Sequence, residues 1–523
     1  MQKHNLWMAL AGGLLVLAGC RTPMPDRAEE TQRFRDEMQR RVAELKIDAK
    51  VPLAADRCVE IALRNSLDQR VRELRAGMQD ARVKQSLSDA LPKVTVGMFD
   101  SRKDKPPMMD LFGSQIAMED QETRGASLQA VVPVLDWCTT YYAWQIAKDR
   151  RQQELLMVER ARQQLVRDVR ASHARLAGAQ RQEKMARIAV LAAQEMVKIA
   201  RSVEREGLDS HASTAAVEAG QAQVVQVWTG LRRNVEQARL RLSQVMSLPS
   251  GVAFTVEDTL PEARPLPDPA TLPQFADRAL AFRPEMWVQD RQRHASDAGV
   301  KKAVADFLPN LNLNGSYNWT SASLLVDHTY FAWGSQLSQS LLNGGKNWQN
   351  LSLAKQDRKV EEERTLLLSM GILYEVDYGI LQLLATHDAM TARKTVASAR
   401  FEEMKMIASR YRQGLETGGE AARGLANLYM AYLDLDRDQT DYQVAWLDLE
   451  MVAPFTAPIA RGDKKAVSPV PLAPLPSYTP APAIKPFAGI PEAFPGIDIS
   501  QYPEIEQLIR NSGVNGILPE EKK

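Results

Sequence analysis

The heptapeptide Ser88-Asp89-Ala90-Leu91-Pro92-Lys93-Val94 returns 217 positions later as Ala305-Asp306-Phe307-Leu308-Pro309-Asn310-Leu311. Ala62-Leu63 and Ala279-Leu280 keep that offset, and Arg205-Glu206-Gly207-Leu208 is echoed by Arg412-Gln413-Gly414-Leu415 at an offset of 207. Self-similarity over so long a period marks two copies of one structural unit. The change of offset puts a ten-residue length difference between the Leu-Pro and Gly-Leu landmarks. Asp100 to Arg124, with Lys103, Lys105, Pro106 and Pro107, reads as the longer loop.

Each copy has the same grammar. A helix over 54–90, and again over 274–306, runs to Leu-Pro, where proline disfavours helix in the residue before it. Two alternating segments follow, separated by a loop. A helix of roughly 70 residues then leads to Gly-Leu, and one of about 38 residues leads back; the longer one would span roughly 100 Å at 1.5 Å per residue. The proline census permits this. None of the 28 prolines lies between Val134 and Leu248 or between Asn310 and Ala453, whereas 13 lie in 454–523 and five in 261–273. A proline inside a helix costs ~3 kcal/mol, so such proline-free runs leave room for very long helices. In the first of them Val158, Leu165, Ser172, Ala179, Ala186, Ala193 and Ala200 recur every seven residues, beside Val169, Leu176, Val190 and Val197. That spacing predicts a left-handed coiled-coil seam, with alanines allowing close approach of the backbones.

The alternating segments carry the second signal. In Asn310–Trp319, Leu311, Leu313, Tyr317 and Trp319 fall on one face and Asn310, Asn312, Asn314, Ser316 and Asn318 on the other. Phe331 to Leu341 supplies a partner, with Phe331, Trp333, Leu337 and Leu341 opposed to Gln336, Ser338 and Ser340. In the first copy Leu128, Ala130 and Val132 oppose Ser127, Gln129 and Val131. Segments of about ten residues, apolar outside and polar inside, fit a membrane barrel strand. Four strands per chain cannot close a barrel, and an open edge in lipid is costly, so this reading requires oligomerisation.

Charge and motifs exclude much else. With 66 basic and 65 acidic residues the net charge is +1, which predicts no nucleic-acid footprint. No HExxH, P-loop, GxGxxG, GxSxG or CxxC motif occurs, and the six histidines form no helical metal pair. No catalytic residue, metal or cofactor is therefore expected. Cys58 and Cys138 are expected to be too far apart to bridge, since a disulfide needs Cα atoms within about 7 Å. At the N-terminus, Leu6 to Leu17 is apolar but shorter than the ~20 residues of a spanning helix, which fits a signal peptide. Leu17-Ala18-Gly19-Cys20 resembles a bacterial lipobox, which implies lipidation of Cys20. Arg21 follows, not the aspartate that the resemblance associates with inner-membrane retention, so the anchor is expected at the outer membrane.

The lipobox, the duplicated helix–strand–strand–long-helix–helix unit and the Leu-Pro and Gly-Leu landmarks together resemble the TolC-type outer-membrane efflux channel family. The resemblance covers about 54–453. It implies a mainly α fold with a membrane β-barrel: a homotrimer with a 12-stranded barrel in outer-membrane lipid and a long α-helical periplasmic tunnel. The Gly-Leu hairpins, Gly207-Leu208 and Gly414-Leu415, would sit at the periplasmic tip and meet an adaptor protein of an inner-membrane pump. The family places acids after the second hairpin to ring the entrance. Glu420 matches such a position, whereas Arg423 stands where a second acid is usual; the first-copy equivalents are Ser213 and Ala216.

The expected organisation is a signal peptide (1–19), a lipidated segment (20–53) with a short amphipathic helix at 31–47, a first repeat (54–256), a Pro-rich linker (257–273), a second repeat (274–453) and a Pro-rich tail (454–523). The function implied is a passive exit duct, not an enzyme. The alternative is a lipid-anchored periplasmic coiled-coil scaffold without a pore, which would have no need of a two-faced strand at 310–318. A periplasmic hydrolase, the third possibility, lacks any catalytic constellation.

Overall fold

The computed structural model describes residues 24–454, apart from 25, 46, 48–50, 90, 106–107, 112–113, 118–119, 209, 259–263, 324, 340–343 and 417. Cys20 and nearly all of the Pro-rich tail lie outside the described residues. Helix α1 (Arg27–Leu45) leads in, and Val42 and Leu45 near its end, with Ile47, pack on the first repeat's core while Phe34 stays exposed.

The helix expected over 54–90 is two helices, α2 (Ala55–Asn65) and α3 (Leu67–Ser88). Ser66 adopts extended backbone and its hydroxyl accepts the Gln69 N–H at 3.2 Å, so it ends one helix and caps the next. The second copy breaks at the corresponding place, into α6 (Leu272–Phe282) and α7 (Pro284–Ala305). There Pro284 holds Arg283 extended, with ψ 129°.

Strands β1 (Lys93–Arg102), β4 (Glu122–Pro133), β5 (Asn310–Thr320) and β6 (Thr329–Ser338) form one antiparallel sheet in the order β1-β4-β5-β6. The segment expected to be a plain loop holds a separate hairpin, β2 (Met108–Leu111) paired with β3 (Ser114–Ala117). Pro106 and Pro107 have no N–H with which to continue the β1 ladder, and pairing resumes beyond them. The long helices, α4 (Trp137–Arg205) and α8 (Gly344–Arg412), have 69 residues each. Their returns, α5 (His211–Val245) and α9 (Gly418–Val452), have 35 each, a little short of the expected length.

The helices form a single layer that prolongs the sheet. Near the strands the order is α3-α4-α7-α8, matching the strand order because α3 enters β1, β4 enters α4, α7 enters β5 and β6 enters α8. Toward the far end the order is α5-α4-α9-α8. On one face of the layer the two repeats build equivalent cores: Cys58, Ala62, Leu176 and Leu242 in one correspond to Phe275, Ala279, Leu383 and Leu449 in the other, at the same 217 and 207 offsets. Cys58 and Cys138 are both free; Cys58 is buried, which pushes its thiol up to about 12, and Cys138 is exposed.

The heptad on α4 is a packing seam. Val169, Ser172, Leu176, Ala186, Val190, Val197 and Ala200 are buried, while Val158, Leu165, Ala179 and Ala193 are half-buried. Gly178 backs onto Thr440 of α9 so closely that a Cβ would lie 2.6 Å from its hydroxyl oxygen. Beside it Arg181 meets Asp436 at 2.7 Å; burial raises the Asp436 carboxyl in spite of that partner.

Candidate functional site

Cross-strand partners in an antiparallel sheet share a face, so the register sorts the wall of the sheet into two sides. One side carries Val94, Val96 and Met98 of β1, Leu128, Ala130 and Val132 of β4, Leu311, Leu313, Tyr317 and Trp319 of β5, and Phe331, Trp333 and Leu337 of β6. Much of it is bare: Met98 is 84% and Trp333 82% exposed. The other side carries Asn312, Asn314, Ser316 and Asn318, with Gln129, Ser127 and Gln336 opposite them. Leu341 and Ser340 of the expected partner strand lie outside the described residues. Phe99 is an aromatic on the polar side; its ring lies over Gly125, where a Cβ would be 2.3 Å from a ring carbon. Alternation is less regular in β1, where Gly97 and Phe99 interrupt the polar set.

At the opposite end of the long helices stand the two Gly-Leu turns. Gly207 and Gly414 both have φ +71°, a conformation that glycine adopts without the Cβ penalty. In the first turn the Leu208 N–H donates to the Val203 carbonyl at 3.1 Å and the Gly207 N–H to that of Glu204 at 2.9 Å. The second repeats this, Leu415 to Arg410 at 2.9 Å and Gly414 to Tyr411 at 3.0 Å. Both are Schellman caps, in which backbone bonds satisfy the last carbonyls of a helix. The leucine after such a glycine commonly packs back on its own helix, but Leu208 and Leu415 are 74% and 65% exposed. A polar side-chain contact braces each turn. His211 lies 2.7 Å from Glu204, holding that carboxyl below its ordinary range, and Arg410 lies 3.2 Å from Glu416. Val197, Ala200 and Val217 share a core with Met404, Ala408 and Ala421, so the tips stand side by side.

Glu420 lies in the first turn of α9, six residues beyond Gly414. Arg423 donates to it at 2.9 Å, and both side chains remain exposed. At the tip of the first copy Ser210 caps α5 by accepting the Ser213 N–H, and no acid stands at Ser213 or Ala216.

A feature missed in the sequence is a buried charge network where α9 ends and α7 begins. Arg160 meets Glu285 at 2.7 Å and donates to the Met451 carbonyl at 3.1 Å. Arg283 pairs with Glu285 at 3.0 Å and with Glu375 at 2.5 Å. Burial would raise the Glu285 carboxyl, but the Arg283 hydrogen bond and the Arg160 charge outweigh it and hold it below its ordinary range. No local pattern links residues so distant in the chain.

The fold is that of the TolC-type channels. A membrane protein from Pseudomonas aeruginosa superposes with a TM-score of 0.67 at 18% identity, covering 80% of this chain and 92% of that one. The open-state MtrE outer membrane channel of Neisseria gonorrhoeae gives 0.59 at 17% identity, covering 76% and 88%. The sequence profile of outer membrane efflux proteins matches residues 58–247 and 275–453, and the chain belongs to that family, whose members are channels and not enzymes. Outer membrane protein OprJ of Pseudomonas aeruginosa is 23% identical over 184 residues, 34% of this chain. That match spans about a third of OprJ, 35% of its length.

Proposed function

We propose that three copies of this chain close a 12-stranded barrel in the outer membrane and a helical tunnel beneath it, an exit duct for small molecules. The carrying observation is that both edges of the protomer are unsatisfied in the same sense. Within the described sheet β1 and β6 are edge strands, and one of its two exposed sides is apolar. Below them α3 exposes Leu67, Val71, Leu74 and Met78, and α8 exposes Leu366. A cyclic array sets β6 of one copy against β1 of the next and α8 against α3, removing every edge from lipid. Four strands from each of three copies make twelve. A pore-free scaffold leaves this apolar sheet without a purpose. Mass measurement of the detergent-purified full-length protein is expected to return three chains; a monodisperse monomer would contradict the proposal.

Passive conduction, with an inner-membrane pump supplying the work, is what the likeness to outer-membrane efflux channels supports. The exposed leucines beside Gly207 and Gly414 are apolar knobs on rigid caps, suited to an adaptor protein. Gly207, Leu208, Gly414 and Leu415 are thus assigned to adaptor contact.

Glu420 is assigned to the periplasmic entrance. Three carboxylates facing across a narrow mouth favour cations, and Arg423 bonded to each weakens that field. Glu420→Gln is expected to reduce cation preference slightly, and Arg423→Ala to increase it by unmasking the carboxylates. Reversal potentials under a salt gradient should therefore move in opposite directions. If neither moves in conducting trimers, the entrance lies elsewhere.

Cys20 is assigned to lipid anchorage in the outer membrane. Cys20→Ser is expected to abolish incorporation of a radioactive fatty acid during growth, and a variant that still takes up the label would refute the anchor.

A further inference from the structure

Between α8 and α9 of one chain lies a groove of about 340 Å³ lined by Tyr374, Tyr378 and Gly379 on one wall and Asp448 and Val452 on the other. Val452 is the last residue of α9, so the groove sits where the helix layer passes from α9 to α7. Its side of the layer can be assigned. Val376 and Ile380 of α8 pack in the core that Phe275 and Ala279 of α6 complete. Tyr378 is two residues from each, which is about 200° around a helix of 3.6 residues per turn. The tyrosines therefore face away from α6. The groove thus opens on the face of the helix layer opposite α6, and the exit-duct reading makes that face the tunnel wall. Leu366 of the proposed seam lies about 80° around α8 from Tyr374 and about 120° from Tyr378, so the tyrosines sit beside that seam.

The lining points to a ligand class. Tyr374 and Tyr378, one turn apart on a rigid helix, are 67% and 69% exposed. Gly379 lines the groove without a side chain; a Cβ there would make an ordinary contact with Leu449 at 3.4 Å. Two carboxylates flank the rings. Arg283 donates to the Glu375 Oε2, and Arg167 donates to the Asp448 Oδ1. The arginines are the more buried partners in both pairs, 5% and 28% exposed against 56% and 36% for the acids, so the groove presents carboxylate to its contents. Aromatic faces attract cations, and a concave, mostly apolar site of this size matches a small organic molecule.

We infer that the groove is a binding subsite for aromatic organic cations on the inner wall of the duct, an inference that rests on the exit-duct reading for the word inner but not for the binding itself. The charge and the flat faces of such a molecule are both matched, whereas an anion of equal size would meet two carboxylates.

The test is a fluorescence anisotropy titration of rhodamine 6G with the full-length protein in detergent, with fluorescein as the anionic control. Saturable binding of rhodamine 6G at one site per chain is expected, with fluorescein at least tenfold weaker. Tyr374→Ala with Tyr378→Ala is expected to weaken rhodamine binding at least tenfold, and the Phe pair at the same positions to retain it. Gly379→Leu should fill the groove and abolish binding. The tyrosines are surface residues, so the Ala pair reads out even if Gly379→Leu fails to fold. Equal binding of both dyes, or unchanged affinity in the Ala pair, would overturn the subsite. Conductance of the same preparation reports separately on the duct, so the two readings fail independently.

Discussion

Leu313→Lys is expected to lower the yield of membrane-assembled protein sharply, while Asn312→Lys one residue earlier leaves it near normal. Leu313 shares a sheet side with Val132 and Ser335, in the helix-proximal part of a wall that includes Val96, Leu128 and Trp333. Asn312 points to the other side, opposite Gln336. A lysine on the lipid-facing wall of a barrel costs ~2–4 kcal/mol at the bilayer midplane and less toward the interfaces, and on the lumen side the ammonium stays in water. Heat-stable oligomer on a gel, normalised to total protein, measures the difference. Equal yields for the two variants would reject the assignment of faces.

The other large effect is expected far from the membrane, at Glu285. This carboxylate is shared by Arg160 and Arg283, whose side chains are each 5% exposed. Glu285→Ala leaves Arg283 with Glu375 but strips Arg160 of its only paired carboxylate among the described residues. Breaking a buried pair by removing one partner costs about 3–5 kcal/mol, because the remaining charge stays desolvated. The midpoint of denaturant unfolding should fall accordingly. The sign of the pH effect follows from the lowered carboxyl. Its contribution is complete above the ordinary carboxylate pKa and is lost as pH falls through the lowered value. The variant should therefore lose less stability than the parent on acidification. An unchanged midpoint would show that the network contributes nothing net.

Much of this architecture is legible in the sequence because it is written in local periods. A heptad on α4, a two-residue alternation in β5 and a glycine that must take positive φ each involve neighbours in the chain, and the offset of the two copies confirms them twice over. The breaks at Ser66 and Pro284 were harder. Pro284 is a visible signal, but Ser66 acts through a cap that only the fold reveals. The β2–β3 hairpin hides in a segment whose lysines and prolines suggest a loop. The Arg160, Arg283, Glu285 and Glu375 network joins three or more helices and the Tyr374–Tyr378 groove joins two, and no spacing along one helix encodes them. At the tip, the pairing of Arg423 with Glu420 follows from i,i+3 geometry. Its place in a trimeric entrance depends on copies beyond a single chain.

That assembly is the central claim, and planar-bilayer recording tests it most directly. Purified full-length protein, reconstituted at low concentration, is expected to give discrete single-channel current steps of uniform size, carried by a species three chains in mass. Trimer that inserts without conducting, or protein that stays monomeric and silent, would contradict the exit duct and leave a lipid-anchored scaffold in its place.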